Sequence, residues 1–95
     1  MTCYILYSQT LKKYYIGVTI ENVSSRLQKH NELLYGSHFT SQVSDWELFY
    51  QIVCSCTTQM LQIEKHIKRM KSKVYIENLK KRPEMKEKLL LKYFV

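Results

Sequence analysis

The chain has 95 residues, a formal net charge of +7 and a hydrophobic content of 45%. This length permits one domain with a modest core, and the apolar content excludes a disordered polymer. The positive charge suits a polyanionic partner such as nucleic acid, although attraction to phosphate is nonspecific. Because no apolar stretch approaches the ~20 residues that cross a bilayer, we expect no membrane partner.

The three cysteines, Cys3, Cys54 and Cys56, predict buried or half-buried thiols rather than disulfides. Their odd number, with no signal peptide ahead of them, argues against a secreted disulfide framework. Cys54 and Cys56 also lack the second Cys or His pair that a zinc site needs. We therefore expect a reducing, cytoplasmic location.

Two short β-favouring runs open the chain, at about residues 2–8 and 13–19, and they contain Tyr4 and Tyr15. The segment between them is polar enough to turn the chain back. The runs therefore predict an antiparallel hairpin that brings the two phenols together.

A helix is expected after the hairpin, capped by Asn22 or Ser24 and running to about Leu34. Its apolar residues fall near one face, which is typical of a helix that packs on a sheet. These residues are Val23, Leu27 and Leu34. The residues at 36–42 predict a polar loop.

A third strand is expected from about Trp46 to Cys54, because this run mixes aromatic and β-branched residues. Thr57 or Thr58 is the expected cap of a second long helix, which ends near Met70. The residues predicted on its apolar face are Met60, Ile63, Ile67 and Met70.

The last third of the chain predicts basic helices, and Pro83 is expected to open the final one at its first turn. The resulting order, ββαβα plus C-terminal helices, predicts an α+β fold with a small three-stranded antiparallel sheet flanked by helices. We expect residues 1–82 to form the main domain and residues 83–95 to pack on it. The apolar residues of that end are Leu89, Leu90, Leu91, Tyr93 and Phe94.

Arg26 and His30 are four residues apart and therefore neighbours on one helical surface. An arginine can bind a phosphate through a planar fork and stabilise the charge of a transition state. A histidine beside it can donate a hydrogen bond, orient a tyrosine or move a proton. The ordinary alternative, Arg26 on a solvated face and His30 at the core's edge, stays open on spacing alone.

Glu64 lies inside the second long helix and is a candidate ligand for Mg²⁺, an ion that keeps several waters and needs few protein ligands. The alternative is a surface ion pair between Glu64 and Lys68 at i,i+4 spacing. A tyrosine, with an ordinary pKa near ~10, becomes a usable general base where a cation stabilises its phenolate. Core packing with a wet hydroxyl accounts for any single tyrosine equally well.

Taken together, these elements resemble the signature of the GIY-YIG nuclease family in order and spacing. The segments that carry the resemblance are Cys3–Leu6, Tyr14–Thr19, Ser25–Asn31 and Gln62–Lys68. It covers roughly residues 2–80 and is closest to small stand-alone bacterial members. The first triplet is Thr2-Cys3-Tyr4 rather than Gly-Ile-Tyr, so the tyrosine is retained.

The resemblance implies a divalent-metal-dependent endonuclease that hydrolyses phosphodiester bonds in DNA. Its substrate would be weakly specified or selected by structure, such as branched or single-stranded DNA in repair or recombination. Tyr4 and Tyr15 would be the catalytic phenols, one of them the general base. Arg26 would bind the scissile phosphate, His30 would assist, and Glu64 would hold Mg²⁺ or Mn²⁺. The residues assigned to nucleic-acid binding are Lys68, Arg69, Lys71, Lys73 and Asn78.

Two other functions stay open. The first is a nucleic-acid-binding module on the same fold that cuts poorly or only with a partner protein. It predicts salt-dependent binding that survives Glu64→Ala. The second is a protein-interaction domain or homodimer that uses the C-terminal helix. It predicts self-association that is lost on truncation at Pro83.

Overall fold

The structure is a computed structural model, and it describes residues 1–32 and 43–94. Within these residues the elements are β1 Thr2–Ser8, β2 Lys13–Thr19, α1 Val23–Asn31, β3 Trp46–Val53, α2 Thr57–Met70, α3 Lys73–Lys81 and α4 Pro83–Lys92. The predicted α+β fold with a three-stranded antiparallel sheet is confirmed. Leu34 and the loop predicted at 36–42 lie outside the described residues. None of the helices described is long and apolar enough to span a membrane.

The sheet has the order β2-β1-β3, and both pairings are antiparallel. The central strand β1 is buried along almost its whole length, whereas β2 and β3 are mixed. This difference follows from position, because a central strand of a sheet covered on both faces has neither an open edge nor a wet face. The pairing of β1 with β3 contains a register shift between Ile5 and Leu6.

The side chains of β1 alternate between two apolar clusters, one on each face of the sheet. Helices α2, α3 and α4 cover the larger cluster, whose buried members include Cys3, Ile5, Ile52, Ile63, Ile67, Leu79 and Leu89. Helix α1 covers the smaller cluster of Tyr4, Leu6 and Trp46, and Val23 and Leu27 pack against it as predicted. Adjacent residues of β1 therefore face different helical layers.

Local signals set most helix ends, and one predicted cap is wrong. Asn22 is the N-cap of α1, where its side chain accepts a hydrogen bond from the Ser24 N–H at 2.7 Å. Pro83 opens α4 in its first turn, as expected. The N-cap of α2 is Cys56 rather than Thr57 or Thr58, and its side chain makes no capping hydrogen bond.

Met70, which was predicted on the apolar face of α2, is 48% exposed. Met70 is the last residue of α2, and Lys71 follows it in the left-handed region with φ 49°. The last residue of the helix is therefore the exposed end of its apolar face. The buried positions of α2 are Gln59, Met60, Ile63 and Ile67.

Gln59 joins α2 to α4 from a fully buried position, with 1% of its surface exposed. Its amide donates to the Leu90 carbonyl at 2.9 Å, and its oxygen accepts from the Ser55 N–H at 2.7 Å. Leu89 is buried against the main core, while Leu91 and Phe94 are exposed. Helix α4 thus docks through one face and a satisfied polar link.

Candidate active site

Tyr4 and Tyr15 lie on one face of the hairpin. Tyr4 pairs with Gly17 and Leu6 pairs with Tyr15, so the two tyrosines are diagonal neighbours. Their ring centroids are 6.5 Å apart, with 43° between the ring planes. Tyr4 is fully buried, whereas Tyr15 is half-buried. Tyr15 is therefore the more exposed of the two side chains.

His30 of α1 lies against both phenols. Its Nε2 is hydrogen-bonded to the Tyr4 hydroxyl oxygen at 2.9 Å, and its ring centroid is 5.0 Å from that of Tyr15. His30 is itself buried, with 2% of its surface exposed. A buried hydrogen bond of this kind is stronger than one in water and fixes the orientation of the imidazole. The structure thus brings Tyr4, Tyr15 and His30 into one cluster.

Gly17 provides the space that the phenol of Tyr4 occupies. A Cβ at Gly17 would lie 2.6 Å from the Tyr4 hydroxyl oxygen, 2.7 Å from Tyr4 Cζ and 3.0 Å from Tyr15 Cε2. All three distances are too short for a carbon contact. The sequence indicated Gly17 as part of a Tyr-Ile-Gly triplet, but its spatial role required the hairpin register.

Arg26 lies one turn before His30 on α1 and has a half-buried side chain. Its Nη1 is 4.0 Å from Glu21 Oε1, the same atom that accepts a hydrogen bond from Lys29 Nζ at 3.0 Å. The Glu21 side chain is 43% exposed, and ion pairs of this kind contribute only about 0–1 kcal/mol. A phosphate can therefore compete with Glu21 for the guanidinium at little cost.

Glu64 lies on α2, in the layer on the other side of the sheet from His30. Its Oε2 accepts a hydrogen bond from Lys68 Nζ at 3.2 Å, which is the i,i+4 pair that the sequence left open. Burial, followed by the charges of Cys54 and Glu64, raises the pKa of the Cys3 thiol to about 12. Glu64 is thus close to Cys3, the residue of β1 next to Tyr4.

The basic residues assigned to nucleic acid do not form one surface. Lys68, Lys71 and Lys73 line a groove of about 270 Å³ together with Lys13 of β2. Arg69 instead lines a separate recess with Gln62, Lys65 and Tyr93. Asn78 is half-buried on α3, and its carbonyl accepts a hydrogen bond from the Arg82 N–H at 2.8 Å. The groove therefore unites three of these five assigned residues.

The structure adds Asn31, a residue that sequence reasoning missed, as a support of the site. Its Oδ1 accepts from the Trp46 N–H at 2.7 Å, and its Nδ2 donates to the Trp46 carbonyl at 2.9 Å. The Trp46 ring in turn lies 6.3 Å from Tyr15, centroid to centroid. Asn31 therefore ties the end of α1, next to His30, to the first residue of β3. No local pattern reveals this contact, because it joins segments 15 positions apart.

The family model of the GIY-YIG catalytic domain matches residues 1–82, which is most of the chain. The fold and the paired tyrosines thus belong to a nuclease domain, and the chain is a member of the GIY-YIG family. The family implies nuclease activity on DNA, and its nucleases are generally metal-dependent. Neither the curated proteins nor the solved structures that were searched gave a match.

Glu64 suits the metal that the family implies. No group of three or more His, Cys, Asp and Glu residues among those described could hold an ion. Mg²⁺ does not need such a cage, because it keeps most of its waters and takes one or two carboxylates plus substrate phosphate. The Glu64 side chain is 19% exposed and its neighbour Lys68 is on the surface, so the carboxylate remains accessible.

Proposed function

We propose that this protein is a divalent-metal-dependent endonuclease that hydrolyses phosphodiester bonds in DNA selected by structure rather than by sequence. The observation that carries the proposal is the buried hydrogen bond between Tyr4 and His30 beside Tyr15. A family domain that had kept the fold without the chemistry would not need this cluster. An enzyme needs it in order to hold an acid–base group in one position.

Tyr15 acts as the general base. It is more exposed than Tyr4, and its ring packs against the imidazole of His30. The Tyr15 phenolate takes a proton from water as the water oxygen bonds to phosphorus and the bond to the leaving oxygen breaks. A nearby cation favours the phenolate form of a catalytic tyrosine.

Tyr4 is a positioning residue. Its side chain is fully buried, and its hydroxyl is bonded to His30 Nε2. The hydrogen bond holds the imidazole against Tyr15. Loss of the Tyr4 hydroxyl should therefore change the pH profile of cleavage, whereas loss of the Tyr15 hydroxyl should remove base catalysis.

Arg26 binds the scissile phosphate through its guanidinium fork and stabilises the charge that grows on the oxygens. Glu64 would hold the ion, and Mg²⁺ or Mn²⁺ would supply further charge neutralisation at the phosphate and the leaving oxygen. Arg26 and Glu64 would approach the phosphate from helices on opposite sides of the sheet, and loss of either should lower kcat more than it weakens DNA binding.

Phosphate contacts provide the affinity for DNA. The lysines that line the groove beyond Glu64 suit contacts with phosphates, which carry no direct sequence information. Binding should therefore fall steeply as salt rises, and sequence preference should be weak. Free thiols at Cys3, Cys54 and Cys56 agree with a reducing compartment such as the cytoplasm, which we also propose as the location.

Cleavage of plasmid, single-stranded and branched DNA with Mg²⁺ or Mn²⁺ tests the proposal directly. We expect cleavage that EDTA abolishes. Glu64→Ala should lower the cleavage rate by roughly 10²-fold or more, the typical loss when a group that stabilises transition-state charge is removed. Glu87→Ala is the matched control, because Glu87 is an exposed glutamate of α4. Full activity of Glu64→Ala would exclude Glu64 as the metal ligand.

The Glu64–Lys68 ion pair supports one competing function. With Lys68 Nζ 3.2 Å from Glu64 Oε2, the carboxylate already has a cation, as it would in a binding module that needs no metal. Such a module would bind DNA in a salt-sensitive way. It would not cut DNA, whichever divalent ion is supplied. The Lys68→Ala variant separates the two functions. An enzyme should bind Mg²⁺ at least as tightly without Lys68, and a binding module should only lose affinity for DNA.

A further inference from the structure

The groove beside Glu64 combines a rim of lysines with an apolar floor. The lysines come from two places, with Lys13 on β2 and the others around the junction of α2 and α3. The floor consists of the side chains of Tyr14, Ile16, Ile67 and Ile76. A surface that contacts only phosphates gains nothing from such a floor, since phosphate oxygens are charged and strongly hydrated.

We infer that this groove binds one unpaired nucleotide of the DNA substrate, with the base on the apolar floor and the adjoining phosphates on the lysines. The inference rests on the proposed function, since it names the part of the substrate that the nuclease would hold. A base in a duplex has both faces stacked on its neighbours, so only an unpaired or extruded base can enter.

Tyr14 is the aromatic platform of the groove. Its ring lies 4.8 Å from that of Tyr7 and 5.0 Å from that of Phe49, the latter edge-on at 75°. Its hydroxyl donates to Glu77 Oε2 at 3.5 Å, and burial, with the charge of Glu77, raises the pKa of Tyr14. The two neighbouring rings therefore hold the Tyr14 ring in position before a base arrives. Aromatic rings held in this way stack bases of any sequence.

The junction between α2 and α3 sets the positions of the rim cations. Lys71 has the left-handed φ of 49° that ends α2, and Ser72 caps α3 by accepting from the Tyr75 N–H at 3.1 Å. Lys73 Nζ donates to the Lys12 carbonyl at 3.2 Å, which links the junction to the hairpin turn. The first turn of α3 adds its own partial positive charge to that of the lysines.

The groove adjoins Glu64, the candidate metal ligand. Lys68 lines the groove, and its Nζ is 3.2 Å from the Glu64 carboxylate. A nucleotide seated on Tyr14 therefore places a neighbouring phosphate near Glu64. The volume of about 270 Å³ lies below the range of roughly 300–1,000 Å³ for pockets that hold drug-sized ligands, so it suits a single base rather than several.

Fluorescence anisotropy in EDTA, which prevents cutting, tests the inference with the full-length chain. The probes are a labelled single strand, a duplex with a single-stranded flap and a blunt duplex of the same sequence. Wild type should bind the two unpaired probes more tightly than the blunt duplex. Tyr14→Leu should weaken binding of the unpaired probes by at least fivefold, about the lower limit for loss of one stacked base. Tyr14→Phe keeps the ring and should bind like wild type.

Lys71→Ala tests the rim independently of the aromatic floor. Its matched control is Lys81→Ala, an exposed lysine at the other end of α3, about 12 Å from Lys73 along the helix axis. Lys71→Ala should lower affinity for all probes and reduce the salt dependence of binding more than Lys81→Ala does. Thermal unfolding of each variant shows whether the fold is intact, and Lys71→Ala decides the matter if Tyr14→Leu does not fold.

Equal affinity of wild type for paired and unpaired probes, or equal effects of Lys71→Ala and Lys81→Ala, would overturn the inference. These results are distinct from failure of the nuclease proposal. If DNA is cut through Glu64 while Tyr14→Leu binds the flap normally, the groove assignment is wrong and the nuclease stands. If the flap preference depends on Tyr14 but no metal supports cutting, the groove stands and the nuclease proposal fails.

Discussion

Gly17 lies directly opposite Tyr4 in the hairpin, and the Tyr4 phenol crosses over it to reach His30. The absence of a side chain at Gly17 is therefore a requirement of the candidate active site. A Cβ there would come within 2.6 Å of the Tyr4 hydroxyl oxygen. Because Tyr4 is fully buried and bonded at its tip, the ring has no free space into which it can move.

Gly17→Ala should destabilise the protein and impair cleavage. Overpacking of a tight core costs about 1–3 kcal/mol, whereas the loss of glycine's freedom in the unfolded chain returns only about 0.4–1 kcal/mol. The first effect is larger, so we expect a net loss of about 1–2 kcal/mol by urea unfolding. A variant as stable as wild type would show that Tyr4 has room to move.

A double-mutant cycle identifies the cause. In a Tyr4→Leu background the phenol is absent, so adding Gly17→Ala should cost clearly less than it does in wild type. Equal costs in the two backgrounds would mean that Gly17→Ala acts through the strand backbone and not through Tyr4.

Asn31→Ala should destabilise the protein by about 1–3 kcal/mol, because it removes both hydrogen bonds that the Asn31 side chain makes to the backbone of the buried Trp46. Gln28→Ala is the matched control on the same helix. Gln28 is exposed, and its side-chain amide donates a hydrogen bond to Glu32 Oε1 at 2.6 Å. Urea unfolding should show little change for the control. The same small change for Asn31→Ala would mean that water replaces its hydrogen bonds.

The hairpin turn should contribute a pH-dependent part of the stability. Hydrogen bonds from the Ser8 hydroxyl, and then from Thr10, lower the pKa of Asp45 below its ordinary value of 3.8. The folded protein therefore binds this proton less tightly than the unfolded chain does. The contribution is complete above pH 3.8 and disappears as the pH falls from there through the lowered pKa.

Asp45→Asn should consequently destabilise the protein at neutral pH, and its difference from wild type should shrink in acid. Thr10→Ala removes the hydroxyl donor to Asp45 and keeps the backbone N–H donor, so an NMR titration should show the Asp45 pKa moving part of the way back toward its ordinary value. A difference between wild type and Asp45→Asn that is constant with pH would show that the charge of Asp45 is irrelevant to the turn.

The hairpin, the Asn22 cap and the Pro83 helix start were predictable because each depends on residues close together in the chain. The family signature also depends on such local spacing. It singled out Tyr4, Tyr15 and His30, and these three side chains lie in contact in the folded chain. Local chemistry was sufficient for these features.

Features that depend on distant segments were not predictable in this way. The central position of β1 requires pairing with β3, some 45 residues later. The exposure of Met70 was not predictable because periodicity does not show how far along a helix the apolar face is covered. Arg69 and Lys71 are both basic and nearly adjacent in sequence, yet they line different recesses. The helix end between them separates the two side chains.

The most direct test of the account is the single-turnover cleavage rate of Tyr15→Phe with Mg²⁺, compared with wild type and with Tyr50→Phe. Tyr50 is a half-buried tyrosine that packs on the opposite face of the sheet and serves as the matched control. We predict that Tyr15→Phe loses about 10²–10⁴-fold in rate with DNA binding unchanged, while Tyr50→Phe cuts normally. Cleavage by Tyr15→Phe at the wild-type rate would contradict catalysis by this phenol.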